Sequence, residues 1–228
     1  MKKIAIIGAS YLQKPLVLKA KQMGIETHCF AWEEGAVCKE FSDYFYPISI
    51  LEKEKILEIC QRVKINGIVT IASDLPSNTI SYISEKMSLV GNSAETAFLT
   101  TNKFAMRNKL EGKKILIPNY WSGNDLSKIK NNLKYPLIVK PTDMSGSRGV
   151  AKVANYKELK LAFNNAKNIS LEKRVIVEEF IDGKEISVEA LSYNKTHKVL
   201  SLTDKKTTGG PFFVELEHHQ PSCLNKKL

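Results

Sequence analysis

The sequence predicts an α/β protein in which an open parallel sheet is followed by a second, α+β domain. Three observations carry this. Apolar strand runs alternate with segments of helical period from Lys3 to about Val90, the pattern of a parallel sheet with crossover helices. A short apolar run, Leu137-Ile138-Val139, ends in Lys140-Pro141 and a loop of small residues. From Glu185 the chain alternates with period two, Ile186, Val188 and Ala190 against Ser187, Glu189 and Leu191, as in antiparallel strands.

In chain order, Lys3 to Ile7 reads as the first strand and Gly8 as its turn. Pro15 suits a first helical turn, Leu16, Ala20 and Met23 share one helical face, and Gly24 supplies the stop. Strands are expected over residues 27–32, 44–48 and 67–72, with a short one at Leu89-Val90. Ser49 with Glu52 has the spacing of a capping box, before a helix whose Ile56, Cys60 and Val63 share a face. A helix is expected over 77–87. Asp74 reads as its cap, or with Ser73, and with Ser10 and Tyr11, as a ligand-facing group at the carboxyl end of the sheet. The domain boundary falls near residue 95. Thr100-Thr101-Asn102 caps a helix through Lys103 and Arg107, and Pro118 and Ser122-Gly123-Asn124-Asp125 are loop. A strand over 149–153, a helix over 157–167 with Leu159, Ala162, Phe163 and Ala166 inward, and a strand over 174–180 follow. Asn194-Lys195-Thr196 is a hairpin turn with a return strand over 198–202, and Phe212 to Pro221 is a strand running into a turn.

The chain has 228 residues and 43% hydrophobic content, enough to bury a core in two folding units. No apolar run reaches the length that spans a bilayer, and the opening Met1-Lys2-Lys3-Ile4 is the first strand rather than a secretion signal. The four cysteines, 29, 38, 60 and 223, have no paired spacing and complete no zinc pattern with His28, His197, His218 or His219. Reduced thiols and a cytoplasmic location are expected. A net charge of +10 and a pI near 9.3 fit anionic substrates. The lysines are dispersed and no reading motif accompanies them, so a dedicated nucleic-acid binder is not expected.

The chemistry concentrates between Tyr135 and Glu185. Pro141 ends the ladder of its strand, so Lys140 points off a sheet end, where its ammonium can meet a phosphate as a point charge. In the loop Met144-Ser145-Gly146-Ser147-Arg148-Gly149 the two glycines permit positive φ, and successive amides can turn around an anion. Such a loop can close as a lid. Taken alone it also reads as an ordinary turn. The apolar strand Val175-Ile176-Val177 then closes on Glu178 and Glu179. Together these parts suit a nucleoside triphosphate.

The ordered set resembles the ATP-grasp superfamily, and within it the carboxylate–amine ligases similar to the large chain of carbamoyl-phosphate synthase. The resemblance covers nearly the whole chain through Gly8-Ala9-Ser10-Tyr11-Leu12-Gln13, Asn102-Lys103-Phe104-Ala105-Met106-Arg107 and the stretch above. It implies a Rossmann-like pre-ATP-grasp domain over 1–95, a first ATP-grasp lobe with lid and hinge strand over 96–183, and the start of a second lobe over 184–228. By position it implies that Lys103 and Lys140 face the phosphates of ATP and that Ser145, Gly146, Ser147, Arg148 and Gly149 form the lid. Glu178 is implied to face the adenine amino group. The hinge Glu179-Phe180-Ile181 contacts the ring edge through the Glu179 carbonyl and Ile181 amide, and Glu185 takes the ribose hydroxyls. Glu215 and His218 are implied to face the transferred phosphate or the substrate; a solvated strand end is the alternative for both.

The reaction implied is attack of a substrate carboxylate on the γ-phosphate and capture of the acyl phosphate by an amine or a thiol, with Mg²⁺ or Mn²⁺ as cofactor. Small-molecule carboxylates and amines are the implied partners, a homo-oligomer is allowed, and no membrane is involved. One departure stands out. The late Glu-x-Asn-x-Arg segment that supplies the family's metal ligands does not occur before Lys226-Lys227-Leu228. The expectation is therefore a portion of a longer enzyme, with little or no turnover by itself. A non-catalytic nucleotide-binding module is the second reading. An oxidoreductase is the third, and for it the turn after the first strand offers one glycine where the dinucleotide fingerprint needs three.

Overall fold

Strand runs that are apolar on consecutive residues need cover on both faces of their sheet, and the first hundred residues supply it. The computed structural model describes residues 1–129 and 134–224, in two compact units, Met1–Met106 and Arg107–Leu228. The terminal Lys226-Lys227-Leu228 lies outside the described residues.

In the first unit, β1 (Lys3–Ile7), β2 (Glu26–Phe30), β3 (Tyr44–Tyr46) and β4 (Gly67–Val69) form a sheet of order β3-β2-β1-β4, and every pairing is parallel. The helices between and after them are α1 (Lys14–Gln22), α2 (Lys53–Val63), α3 (Ser77–Lys86) and α4 (Ala94–Thr101). Ala5 and Ile7 enter one core with Phe30, Ile56, Cys60 and Ile83. Ile6 enters another with Val17, Cys29 and Cys38. A fully buried side chain of this size contributes about 1.5–3 kcal/mol, so β1 anchors both layers.

Four sequence expectations are corrected here. The buried face of α1 is Val17 and Ala20, while Met23 is 63% exposed, because the helix ends at Gln22. Leu89-Val90 forms no strand; Ser88 has φ 54° and Val90 is 81% exposed. The capping box is only half made. Glu52 accepts from the Ser49 amide at 3.3 Å, but the Ser49 hydroxyl accepts from Leu51. Asp74 does not cap α3 through its side chain; its carbonyl accepts from the Ser77 amide at 3.0 Å.

α5 (Lys103–Leu110) carries the junction between the units. Its start follows the expected cap, with Asn102 Oδ1 accepting from the Ala105 amide at 3.0 Å. The second unit then builds β5 (Tyr120–Gly123), β6 (Leu137–Pro141), β7 (Ala151–Val153), α6 (Tyr156–Ile169) and β8 (Val175–Glu179). Their sheet has the order β5-β8-β6-β7, antiparallel throughout. Leu137, Val139, Val175 and Val177 pack against Leu159, Phe163 and Ala166 of α6. Alternation leaves Ile138, Lys140, Ile176 and Glu178 on the opposite face. A second sheet, of order β11-β10-β9, is made by β9 (Ile186–Tyr193), β10 (Thr196–Thr207) and β11 (Glu215–His219). The hairpin joining β9 to β10 turns on Asn194 and Lys195, both at positive φ, as a tight two-residue turn requires.

Ser122 and Gly123, expected as loop, belong to strand β5. Its backbone pairs with β8, and the Ser122 hydroxyl donates to the Val175 carbonyl at 2.9 Å. The return strand expected at 198–202 runs on to Thr207.

Candidate functional site

β6 and β8 place a carboxylate and an ammonium together by register alone. Ile138 stands opposite Glu178 and Lys140 opposite Ile176, so Lys140 and Glu178 are diagonal neighbours on one face, within reach of long side chains. Lys140 Nζ is paired with Glu178 Oε2. From α5, Arg107 Nε donates to Glu178 Oε1 at 2.6 Å. Glu178 is only 3% exposed. Burial works to raise its carboxyl, but the charge of Lys140 and the hydrogen bonds from Arg107 and Lys140 outweigh it and hold the group below the usual glutamate value. Glu178 is thus a buried, ionised acceptor fixed between two cations.

The loop after β6 has three departures into left-handed backbone, Gly146 at φ 65°, Ser147 at 55° and Gly149 at 74°. A Cβ at Gly149 would lie 2.9 Å from Pro141 Cγ, so the loop returns close against the strand end it left. Ser147 Oγ donates to the Phe213 carbonyl at 3.0 Å and Arg148 Nε to the Ser145 carbonyl at 3.1 Å. The Lys152 amide donates to the Pro211 carbonyl at 2.9 Å. The lid segment is therefore tied to the 209–214 loop. At the hinge, the Phe180 ring carries Lys152 Nζ 3.5 Å from its centroid and stacks on Phe213 at 6.2 Å. Asn119 anchors Glu179, its carbonyl accepting from the Glu179 amide at 3.0 Å and its Nδ2 donating to the carboxylate at 2.9 Å. Ile181 is 64% exposed.

Glu185 and Glu215 converge on a third residue. Lys205 Nζ lies 2.7 Å from an oxygen of each, and Glu215 Oε2 lies 3.3 Å from His218 Nε2. The hydrogen bond from Lys205, with its charge and His218, holds the Glu215 carboxyl below the usual value against the opposing effect of burial.

The candidates thus fall into three groups in the second unit: Lys140 with Glu178; the lid with Phe180; Glu185 with Glu215 and His218. Lys103 opens α5 in the first unit. Sequence reasoning gave no role to Arg107, Lys152 or Lys205. The signal for Arg107 was its place four residues after Lys103 in a helix. Lys205 fell beyond the expected end of its strand.

In the first unit, Gln13 fills the turn after β1. Its Oε1 accepts from the amide and hydroxyl of Ser10 at 3.1 and 2.7 Å, and its Nε2 donates to the Ile71 carbonyl at 2.7 Å. An amide that a pyrophosphate would need is already used, and the dinucleotide reading loses its site. All four cysteines are free, and burial pushes the thiols of Cys29 and Cys60 up to about 12. Among the described residues, no helix is long and apolar enough to cross a membrane, and no group of three or more His, Cys, Asp or Glu side chains is placed to hold a metal ion.

Residues 113–220 match the family described as D-ala D-ala ligase C-terminus. The chain is 24% identical over 226 residues to a formate-dependent phosphoribosylglycinamide formyltransferase of Prochlorococcus marinus (strain MIT 9515), covering 96% of this chain and 55% of that protein. Among solved structures it resembles an L-amino acid ligase from Bacillus licheniformis, with TM-score 0.78 and 23% identity, over 94% of this chain and 53% of that one. It also resembles an N5-carboxyaminoimidazole synthetase from Staphylococcus aureus complexed with ADP, with TM-score 0.79 and 18% identity, over 99% of this chain and 59% of that one. At these identities the structural likeness establishes the fold. The chain spans about half the length of the curated relatives it matches.

Proposed function

We propose that this chain, which carries an ATP-grasp domain and is related to ATP-dependent carboxylate–amine ligases, is the nucleotide-binding part of such a ligase. The particular likeness to the large chain of carbamoyl-phosphate synthase is distant. The observation that carries the reading is the buried Glu178 carboxylate held by Lys140 and Arg107 beside the lid and the hinge strand.

Each group has a role in it. Glu178 accepts from the adenine amino group, and the Glu179 carbonyl and Ile181 amide meet the ring edge. Lys103 and Lys140 face the phosphates, while the amides of residues 145–149 cover them. Glu185 takes the ribose hydroxyls. Glu215 and His218 stand at the reacting end. A carboxylate oxygen attacks the γ-phosphorus as the bond to ADP breaks; the amine nitrogen then attacks the acyl carbon, releases phosphate and loses a proton. Cationic side chains stabilise such a transfer by offsetting charge that builds on the phosphate oxygens. Magnesium, when bound, adds to that neutralisation; among the described residues no group of three or more His, Cys, Asp or Glu side chains is placed to hold it. Small-molecule substrates, a cytoplasmic location and domain limits near 95 and 183 belong to the same proposal.

Calorimetry of the chain with MgATP, followed by phosphate release across a panel of carboxylates and amines, tests it. ATP binding with carboxylate-dependent phosphate release supports the ligase. ATP binding without release fits both a nucleotide-binding part with little turnover by itself and the non-catalytic module, and absence of ATP binding refutes both.

A further inference from the structure

Lys205 belongs to the central strand of the β11-β10-β9 sheet, where a single residue can reach both edges. Glu185 stands just before β9 and Glu215 opens β11. The Lys205 side chain is 16% exposed, against 50% for Glu185 and 45% for Glu215. Its own amide donates to the Glu185 carbonyl at 3.1 Å, so backbone and side chain hold the same neighbour. Two carboxylates brought this close repel one another unless a cation lies between them. Lys205 takes one oxygen of each, and the second oxygen of Glu215 lies 3.3 Å from His218 Nε2.

We infer that Lys205 is a positioning residue of the nucleotide site, aiming Glu185 at the ribose hydroxyls and Glu215 at the reacting end of the triphosphate. The inference rests on the ligase reading above. Burial works against the Lys205 ammonium, yet its bonds to Glu185 and Glu215 outweigh this and keep it above the usual lysine value. It also couples the two carboxylates: a change at Glu215 reaches the ribose end through the ammonium that both share. A cation that merely stabilised the sheet would carry no such signal.

The test compares binding of ATP with binding of its 2′,3′-dideoxy form, in the unaltered chain, Lys205→Met, Lys205→Arg and Glu215→Gln. A hydrogen bond to a charged acceptor is worth about tenfold in affinity, so the unaltered chain should lose about tenfold without the ribose hydroxyls. In Lys205→Met that penalty should fall to about twofold, and Lys205→Arg should restore most of it. Glu215→Gln, at a half-exposed position, keeps the fold if Lys205→Met does not, and should reduce the penalty although Glu215 is not the residue assigned to the ribose. An unchanged penalty in the folded variants overturns the role of Lys205 alone. Failure of the unaltered chain to bind ATP overturns the nucleotide reading, and this role with it.

Discussion

Arg107 Nε and Glu178 Oε1 meet at 2.6 Å across 71 residues of sequence, joining α5 to β8. With Lys140 on the other carboxylate oxygen, the buried Glu178 carboxylate is held between two partly exposed cations, and each partner depends on the others. A buried ion pair gains little over an apolar substitute, but removing one member leaves an uncompensated charge.

Glu178→Ala is therefore expected to destabilise the second unit by about 2–4 kcal/mol, somewhat below the value for a fully buried pair because Arg107 and Lys140 keep some solvent. Urea unfolding measures it. Restoring stability in Glu178→Ala by also replacing Arg107 and Lys140 with Met would attribute the loss to the orphaned cations. No recovery would place it in packing.

The same carboxylate sets an acid limit. Its folded pKa lies below its unfolded one, so the unfolded chain binds more protons as pH falls. The stabilisation is fully present above the unfolded value of about 4.3 and is lost as pH drops through the folded value. Stability measured from neutral pH downward should show a steeper acid loss in the unaltered chain than in Glu178→Gln. Parallel curves would mean that Glu178 does not contribute.

The two lid glycines should respond differently to alanine. Gly146→Ala meets nothing within 4 Å, and its cost of about 1 kcal/mol comes from φ 65° alone. Gly149→Ala adds a Cβ 2.9 Å from Pro141 Cγ and 3.1 Å from Ile169 Cδ1, and should cost at least about 2 kcal/mol. Thermal or urea unfolding ranks them. Equal losses would mean that the close return of the loop onto β6 is not rigid.

Asn102→Ala removes the acceptor that satisfies the Ala105 amide and should cost about 1 kcal/mol, with Asn102→Asp close to neutral. An alanine variant as stable as the parent would show that α5 does not need its cap.

What the sequence made legible followed from period and from end signals. β1, α2, α3, α6 and β8 were expected within a few residues because apolar period and flanking breakers agree there. The candidate nucleotide-site residues were legible because their order is local: Lys140, the 145–149 loop and Glu178 lie within forty residues of each other in the chain. β5 was missed because Ser122-Gly123 has turn chemistry. Its strand state comes from pairing with β8, and Gly123 is small because the Trp121 ring lies 2.6 Å from where its Cβ would be. Leu89-Val90 failed for the opposite reason, an apolar pair with no neighbouring strand to accept it. Lys205 was illegible because its meaning lies in two partners on other strands, and only the sheet order brings them to it.

The most direct measurement is the affinity of the chain for MgATP by calorimetry, before and after Lys140→Met, with circular dichroism confirming that both are folded. The account predicts binding by the parent and a loss of at least about tenfold in the variant, the scale of a charge-assisted bond to phosphate. Equal affinity in two folded proteins, or no binding by the parent, would contradict it.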